Sequence, residues 1–281
     1  MKTLKISGIL VIGLLNLAQK FSFAQSKFSK ETQQKIEAVE SSLAASIMTK
    51  EQPTWTLQER MEAYNVQGLS IAVIDGGEIQ WAKGYGFADV TSNTKVEPNT
   101  LFQAASISKS LNAMAILKLA QDQKINLDSD INDYLTTWKF PYGAGSKPIS
   151  TAHLLSHTAG LNVHGFPGYR FDEPKPSVTQ ILNGESPSNT EAIKPLFEPS
   201  IRYQYSGGGT LISQLILEDV VQKKYSDFLK EKVLSPLQMD DSFFGAGDPK
   251  KGSIFSTAYE NDGTEVEGKF HIYPELAAAG L

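Results

Sequence analysis

The chain has 281 residues, 41% of them hydrophobic, a formal net charge of −5 and no cysteine. That length supports one large domain or two smaller ones with ample core. The lack of cysteine excludes disulfides, thiolate metal sites and cysteine-linked lipid anchors. Mild acidity without a block of like charges argues against a nucleic-acid surface.

In chain order, Lys2 and Lys5 come first, residues 6–18 are apolar, and Ser22-Phe23-Ala24 offers a small-x-small cleavage site. The apolar run is too short for a good membrane span. The pattern predicts a secretory signal peptide over residues 1–24, with an uncleaved anchor as the alternative. The mature protein is then secreted or periplasmic, with no transmembrane span after cleavage. Residues 25–281 are read as one domain with a helical subdomain at about 125–250.

Ile36, Val39, Leu43 and Ile47 form one stripe, predicting a helix from Glu31 to Met48. Thr56 and Glu59 form a capping box that opens a second helix through Tyr64. The β-rich runs Gly68 to Ile74 and Glu78 to Tyr85 flank Asp75-Gly76-Gly77, a hairpin signal. A long helix containing Ser106 is expected to reach about Gln123. Asp128 is placed to cap a short helix at Ile131 to Leu135, and Ser150 or Thr151 one that runs to His157 and stops by Gly160. Further helices are expected at Ser177 to Asn183, Thr210 to Lys223 and Asp227 to Leu234. Ile254 to Tyr259 and Glu265 to Tyr273, separated by Asn261-Asp262-Gly263, read as a second hairpin. This order of elements implies an α/β fold, a sheet layer with a helical insertion.

Two segments match Ser-x-x-Lys. Ser92-Asn93-Thr94-Lys95 lies in polar, turn-like sequence and reads as a solvated loop. Ser106-Ile107-Ser108-Lys109 is followed by a long apolar run. On a helix, residues three apart share a face, which puts the Lys109 ammonium beside the Ser106 hydroxyl. A serine hydroxyl needs such a neighbour to act as a nucleophile. The motif alone fits equally well a helix N-cap at Ser106. Tyr205-Ser206-Gly207 offers a phenol on a turn; close to a lysine it can serve as a general base, and otherwise it is a core tyrosine beside a glycine turn.

Phe102 to Lys109, Leu154-Leu155-Ser156-His157-Thr158-Ala159-Gly160-Leu161 and Tyr205-Ser206-Gly207 together, in this order and separation, resemble the serine β-lactamase-related hydrolases. That group includes class C β-lactamases, DD-peptidases and related esterases. The resemblance spans roughly Asn65 to Leu281. It implies a β-lactamase/DD-peptidase-like antiparallel sheet flanked by helices. It also implies a secreted serine hydrolase that forms an acyl-enzyme on a β-lactam, D-Ala-peptide or small ester. Ser106 is then the nucleophile, Lys109 helps remove its proton, Tyr205 is the acylation base, and the Ser106 N–H is one oxyanion donor. The alternatives are a non-catalytic penicillin- or peptidoglycan-binding module, or an inactive fragment.

No cofactor is implied. His153, His157, His164 and His271 lack ligand spacing, so no metal is expected, and His157 reads as a turn-stabilising residue. The partner expected is a small-molecule or peptide substrate, and nothing indicates an oligomeric state. Two departures stand out. Gly207 occupies the substrate-binding position where family members often carry an asparagine that contacts the substrate amide, which argues against efficient β-lactam hydrolysis. The sequence also stops at Ala277-Ala278-Ala279-Gly280-Leu281, before the family's Lys-Thr-Gly or His-x-Gly strand. A C-terminal truncation that leaves out these strands is therefore expected.

Overall fold

The computed structural model describes residues 28–44, 50, 54–245 and 252–281. The expected signal peptide, and the Ile47-Met48 end of the first expected helix, lie outside the described residues. Helix α1 (Lys30–Glu40) is shorter than its periodicity suggests. Ser41 Oγ donates to Glu37 O at 2.7 Å and Ser42 Oγ to Ala38 O, and Leu43 then pairs with Trp55 instead of continuing the helix. Serine hydroxyls that take helical carbonyls compete with the next turn. Helix α2 (Leu57–Ala63) has the full capping box: Thr56 Oγ1 accepts from Glu59 N–H, and the Glu59 carboxylate accepts from Thr56 N–H at 2.7 Å.

Strands β1 (Gly68–Asp75) and β2 (Glu78–Asp89) form the predicted antiparallel hairpin, paired from Gly68↔Gly86 to Asp75↔Glu78. Gly76 and Gly77 both have positive φ, as the tight hairpin turn requires. A short β3 (Thr94–Lys95) completes a three-stranded sheet in the order β1-β2-β3. Ser92 is exposed on the β2–β3 turn, its hydroxyl 2.8 Å from Thr94 Oγ1, while the Lys95 ammonium lies over the Phe87 ring.

The helical part is built around α6 (Gly207–Val221). Leu211, Ile212, Leu215 and Ile216 pack into one buried cluster with Ile131, Leu135, Leu154, Leu161, Ile181 and Ile193. Leu217 joins a second cluster formed by α3 (Ser108–Gln121) and α7 (Tyr225–Leu229), with Leu111, Ile116, Leu119, Phe228 and Leu229. The two clusters bury a helix that is apolar nearly all round, which is how such a helix becomes the centre of a domain. Between α3 and α6, Asn112 Nδ2 donates to Ser213 Oγ at 2.8 Å, and the Tyr225 hydroxyl donates to Asn112 Oδ1 at 3.2 Å. Among the described residues, no helix is long and apolar enough to cross a membrane.

Several boundaries differ from the sequence reading. The cap of the Ile131 turn is Asp130, not Asp128: its carboxylate accepts from Asn132 N–H at 2.9 Å, and only a 3₁₀ turn (Ile131–Asp133) forms. Ser150 rather than Thr151 caps α4 (Thr151–Leu155), with His153 as its capping-box partner. Helix α5 (Val178–Asn183), by contrast, keeps its expected bounds, capped by Ser177 and ended on Gly184 at φ +65°. Helix α6 begins at Gly207, three residues before Thr210, because Ser206 Oγ accepts from Gly209 N–H at 3.0 Å and caps it there. The helix expected at Asp227 to Leu234 is α7 followed by a π-helical turn, Lys230–Leu234.

The second hairpin forms in part, around its turn: besides the Tyr259↔Glu265 bridge, Glu260 N–H donates to Thr264 O, Val266 N–H to Ala258 O and Ala258 N–H to Lys269 O. The ends of the segment bond to other neighbours: Ser256 N–H to Leu101 O at 2.8 Å, Thr257 N–H to Ala88 O at 2.7 Å, and Ile272 pairs with Tyr169. It straps sheet and helices together and does not extend a sheet. The chain then enters α8 (Leu276–Ala279) against α3 and α6.

Candidate active site

Ser106 lies in a 3₁₀ turn (Ala105–Ile107) that runs into α3. The N-cap alternative for Ser106 does not hold, since neither this turn nor α3 has a side-chain cap. A 3₁₀ turn has three residues per turn, so positions i and i+3 eclipse. Lys109 therefore stands directly over Ser106, and its Nζ donates to Ser106 Oγ at 3.1 Å. The same ammonium donates to Ala278 O of α8 at 2.7 Å. Ser106 is exposed and Lys109 half-buried.

The residue before Ser106, Ala105, has φ +44°. A residue with a Cβ rarely takes this conformation, and its surroundings must hold it there. Ser108 Oγ donates to Ala105 O at 2.6 Å and accepts from Leu281 N–H at 3.0 Å, while Ala104 N–H donates to Leu281 O at 2.9 Å. The end of α8 thus braces the serine turn from behind.

Tyr205 arrives from the segment before α6 and is half-buried. Burial alone would raise its phenol. Hydrogen bonding with Lys109 and Ser106, and the Lys109 charge, outweigh burial and hold the phenol below its ordinary range. The Lys109 ammonium lies 5.1 Å from the centre of the Tyr205 ring. Three side chains from two distant stretches therefore share one cleft: a hydroxyl, an ammonium and an acidified phenol.

Two imidazoles bracket that ring. His157 is stacked on Tyr205 with centres 4.4 Å apart and planes 30° apart, and His164 lies tilted at 4.7 Å. Sequence reasoning took His157 for a turn residue and gave His164 no role. His157 does sit in a tight turn after α4, at φ +56°. The contact of both rings with Tyr205 carries no local signal, because it joins residues over forty positions apart.

Gly207 does not open towards the cleft. It is buried in the first turn of α6, where its N–H donates to His164 O at 2.9 Å. A Cβ built there would sit 3.1 Å from both His164 O and the Phe166 ring. The loop 162–166 occupies the space an asparagine would need.

Behind the site, Glu275 precedes α8 and is fully buried. Neither of its carboxylate oxygens has a hydrogen-bond partner. Burial pushes this carboxyl up to about 7. Among the described residues, no cluster of three or more histidines and carboxylates could hold a metal ion.

The Beta-lactamase family profile matches residues 56–271, which include Ser106, Lys109 and Tyr205. Protein flp of Staphylococcus aureus (strain MW2) is 25% identical over 215 residues, 75% of this chain and 40% of that protein. The unguisins hydrolase ungD' of Aspergillus campestris is 27% identical over 200 residues, 69% of this chain and 36% of that protein. The chain thus spans about 40% of the length of these curated relatives. Among solved structures, the octameric penicillin-binding protein homologue from Pyrococcus abyssi superposes with a TM-score of 0.64 at 26% identity, covering 80% of this chain and 51% of that one. The matched span, the mixed α/β architecture and the structural neighbour agree: the chain belongs to the Beta-lactamase family.

Proposed function

We propose that the chain carries the site of a serine hydrolase that opens an amide or ester through an acyl-enzyme on Ser106. The observation that carries this reading is the 3.1 Å contact of Lys109 Nζ with Ser106 Oγ beside a phenol pulled down by both side chains. As Ser106 Oγ bonds to the substrate carbonyl carbon, its proton passes to the Tyr205 phenolate, which the Lys109 charge stabilises. The Ser106 N–H, at the start of a helical turn, faces the developing oxyanion. The tetrahedral intermediate collapses, the carbon–leaving-group bond breaks, and the phenol returns its proton to the departing amine or alkoxide. Water then repeats the sequence and frees Ser106.

The substrate class proposed is a small ester, ahead of a β-lactam or a D-Ala-peptide. Gly207 presents no side chain to a substrate amide, and the 162–166 loop fills that space. The name of the Aspergillus relative supports hydrolysis. Export is proposed from the basic, apolar and small-x-small pattern of residues 1–24. The test is labelling of the purified chain with a fluorophosphonate and with a fluorescent β-lactam. Labelling that Ser106→Ala abolishes supports the reading, and equal labelling of both proteins removes it. Stoichiometric labelling without turnover of any ester would favour a binding module.

A further inference from the structure

We infer that His157 is a positioning residue for Tyr205, and that it holds the phenol in place only while its Nδ1 carries no proton. This deepens the hydrolase reading and rests on it. His157 O accepts from Gln204 N–H at 2.7 Å, and His157 Nδ1 accepts from Ser206 N–H at 3.2 Å. One residue therefore holds the backbone N–H groups of both chain neighbours of Tyr205, while its ring is stacked on the phenol ring. A backbone N–H can only donate, so Nδ1 must be the bare nitrogen and the neutral ring's proton sits on Nε2.

Protonation at Nδ1 would set donor against donor at Ser206. The Tyr205 backbone would lose one of its two anchors, and the phenol would lose its aim at Ser106. The titratable and charged groups around the ring are Lys109 from α3, His164 from the 162–166 loop, and Tyr203 and Tyr205 from the approach to α6. Burial first, then the charges of Lys109 and His164, hold the His157 imidazole below its ordinary range. The site thus keeps this ring neutral at neutral pH and gives it up only in acid.

The test measures the fluorophosphonate labelling rate of the whole chain against pH for wild type, H157N and H157F, with Ser106→Ala as the blank. Asparagine tolerates the left-handed backbone and can accept from Ser206 N–H through Oδ1. H157N should stay within about threefold of wild type at mildly alkaline pH and keep the acid decline set by the Tyr205 phenol, while losing the additional, steeper fall that protonation of His157 adds in wild type. H157F keeps a stacked ring without the acceptor and should label at least about tenfold more slowly at every pH. Circular dichroism and thermal melts show that each variant is folded. A readout without variants is the His157 ring-proton NMR titration of wild type, whose midpoint should coincide with the onset of the steeper acid fall.

A steeper acid fall that persists in H157N, a His157 titration midpoint away from that fall, or H157F outperforming H157N would each overturn the proposal. Ser106→Ala labelling as fast as wild type is a different outcome, and it overturns the hydrolase reading itself.

Discussion

The two walls of the cleft are built by opposite means. The Ser106 wall starts from a local pair: hydroxyl and ammonium are three residues apart on one turn, 3.1 Å from each other, with one brace behind them from Ala278 and Leu281. The Tyr205 wall is assembled from distant pieces. Loop 157–163 and loop 162–166 hold the phenol by main-chain bonds to Gln204, Ser206, Gly207 and Gly208 and by two imidazole rings. The serine wall depends on one brace behind a local pair, whereas the assembled wall fails when any of its several supports moves.

The largest effects should fall on the reacting groups and be similar on the two walls. Lys109→Met and Tyr205→Phe should each slow acylation by roughly 10²–10⁴-fold, measured by labelling kinetics. A loss confined to one of the two would mean that they do not act on the same proton. Next comes a support of the Tyr205 wall. Gly160 has φ +69°, and a Cβ there would lie 2.4 Å from Phe197 O. Gly160→Ala should destabilise the fold by roughly 3–4 kcal/mol in urea titration, from left-handed strain and overpacking together. Acylation should fall with it, since the same loop seats Tyr205.

Glu275 tests the brace behind Ser106. Its folded carboxyl titrates near 7, above the ordinary value of about 4.3 for the unfolded chain. A raised folded value means that the native state holds the proton more tightly. The associated stability is present below about pH 4 and is lost as pH rises through 7. Glu275→Gln cannot ionise, so it should match wild type in acid and exceed it by about 3 kcal/mol above pH 8 in chemical denaturation. No gain in alkali would show that the buried carboxyl relaxes into solvent. The smallest effect should lie far from both walls: Thr56→Ala removes the α2 cap, costing about 1 kcal/mol, and should leave labelling kinetics unchanged.

How much of this was legible in the sequence follows the same division. The β1–β2 hairpin, the α2 capping box and the Ser106–Lys109 pair rest on neighbours in sequence, and their residue types announce them. The start of α6 was misjudged because three glycines read as a turn, whereas the Ser206 cap and close packing make them helical. The hairpin expected at 254–273 forms only near its turn, because an alternating pattern says nothing about which partner the outer N–H groups will choose. The imidazole bracket around Tyr205 was invisible for the same reason. The signal that could have flagged it is a pair of histidines either side of a glycine-containing turn: His157 inside the block that the family resemblance singled out, and His164 three residues after it.

Ala105 carries a consequence for how the serine hydroxyl is presented. An alanine at φ +44° would swing back to an ordinary conformation if released, and the bonds through Ser108 and Leu281 prevent it. The orientation of the Ser106 hydroxyl is therefore fixed during folding, before any ligand is met. A substrate encounters a loaded catch, not a loop that must first find its shape.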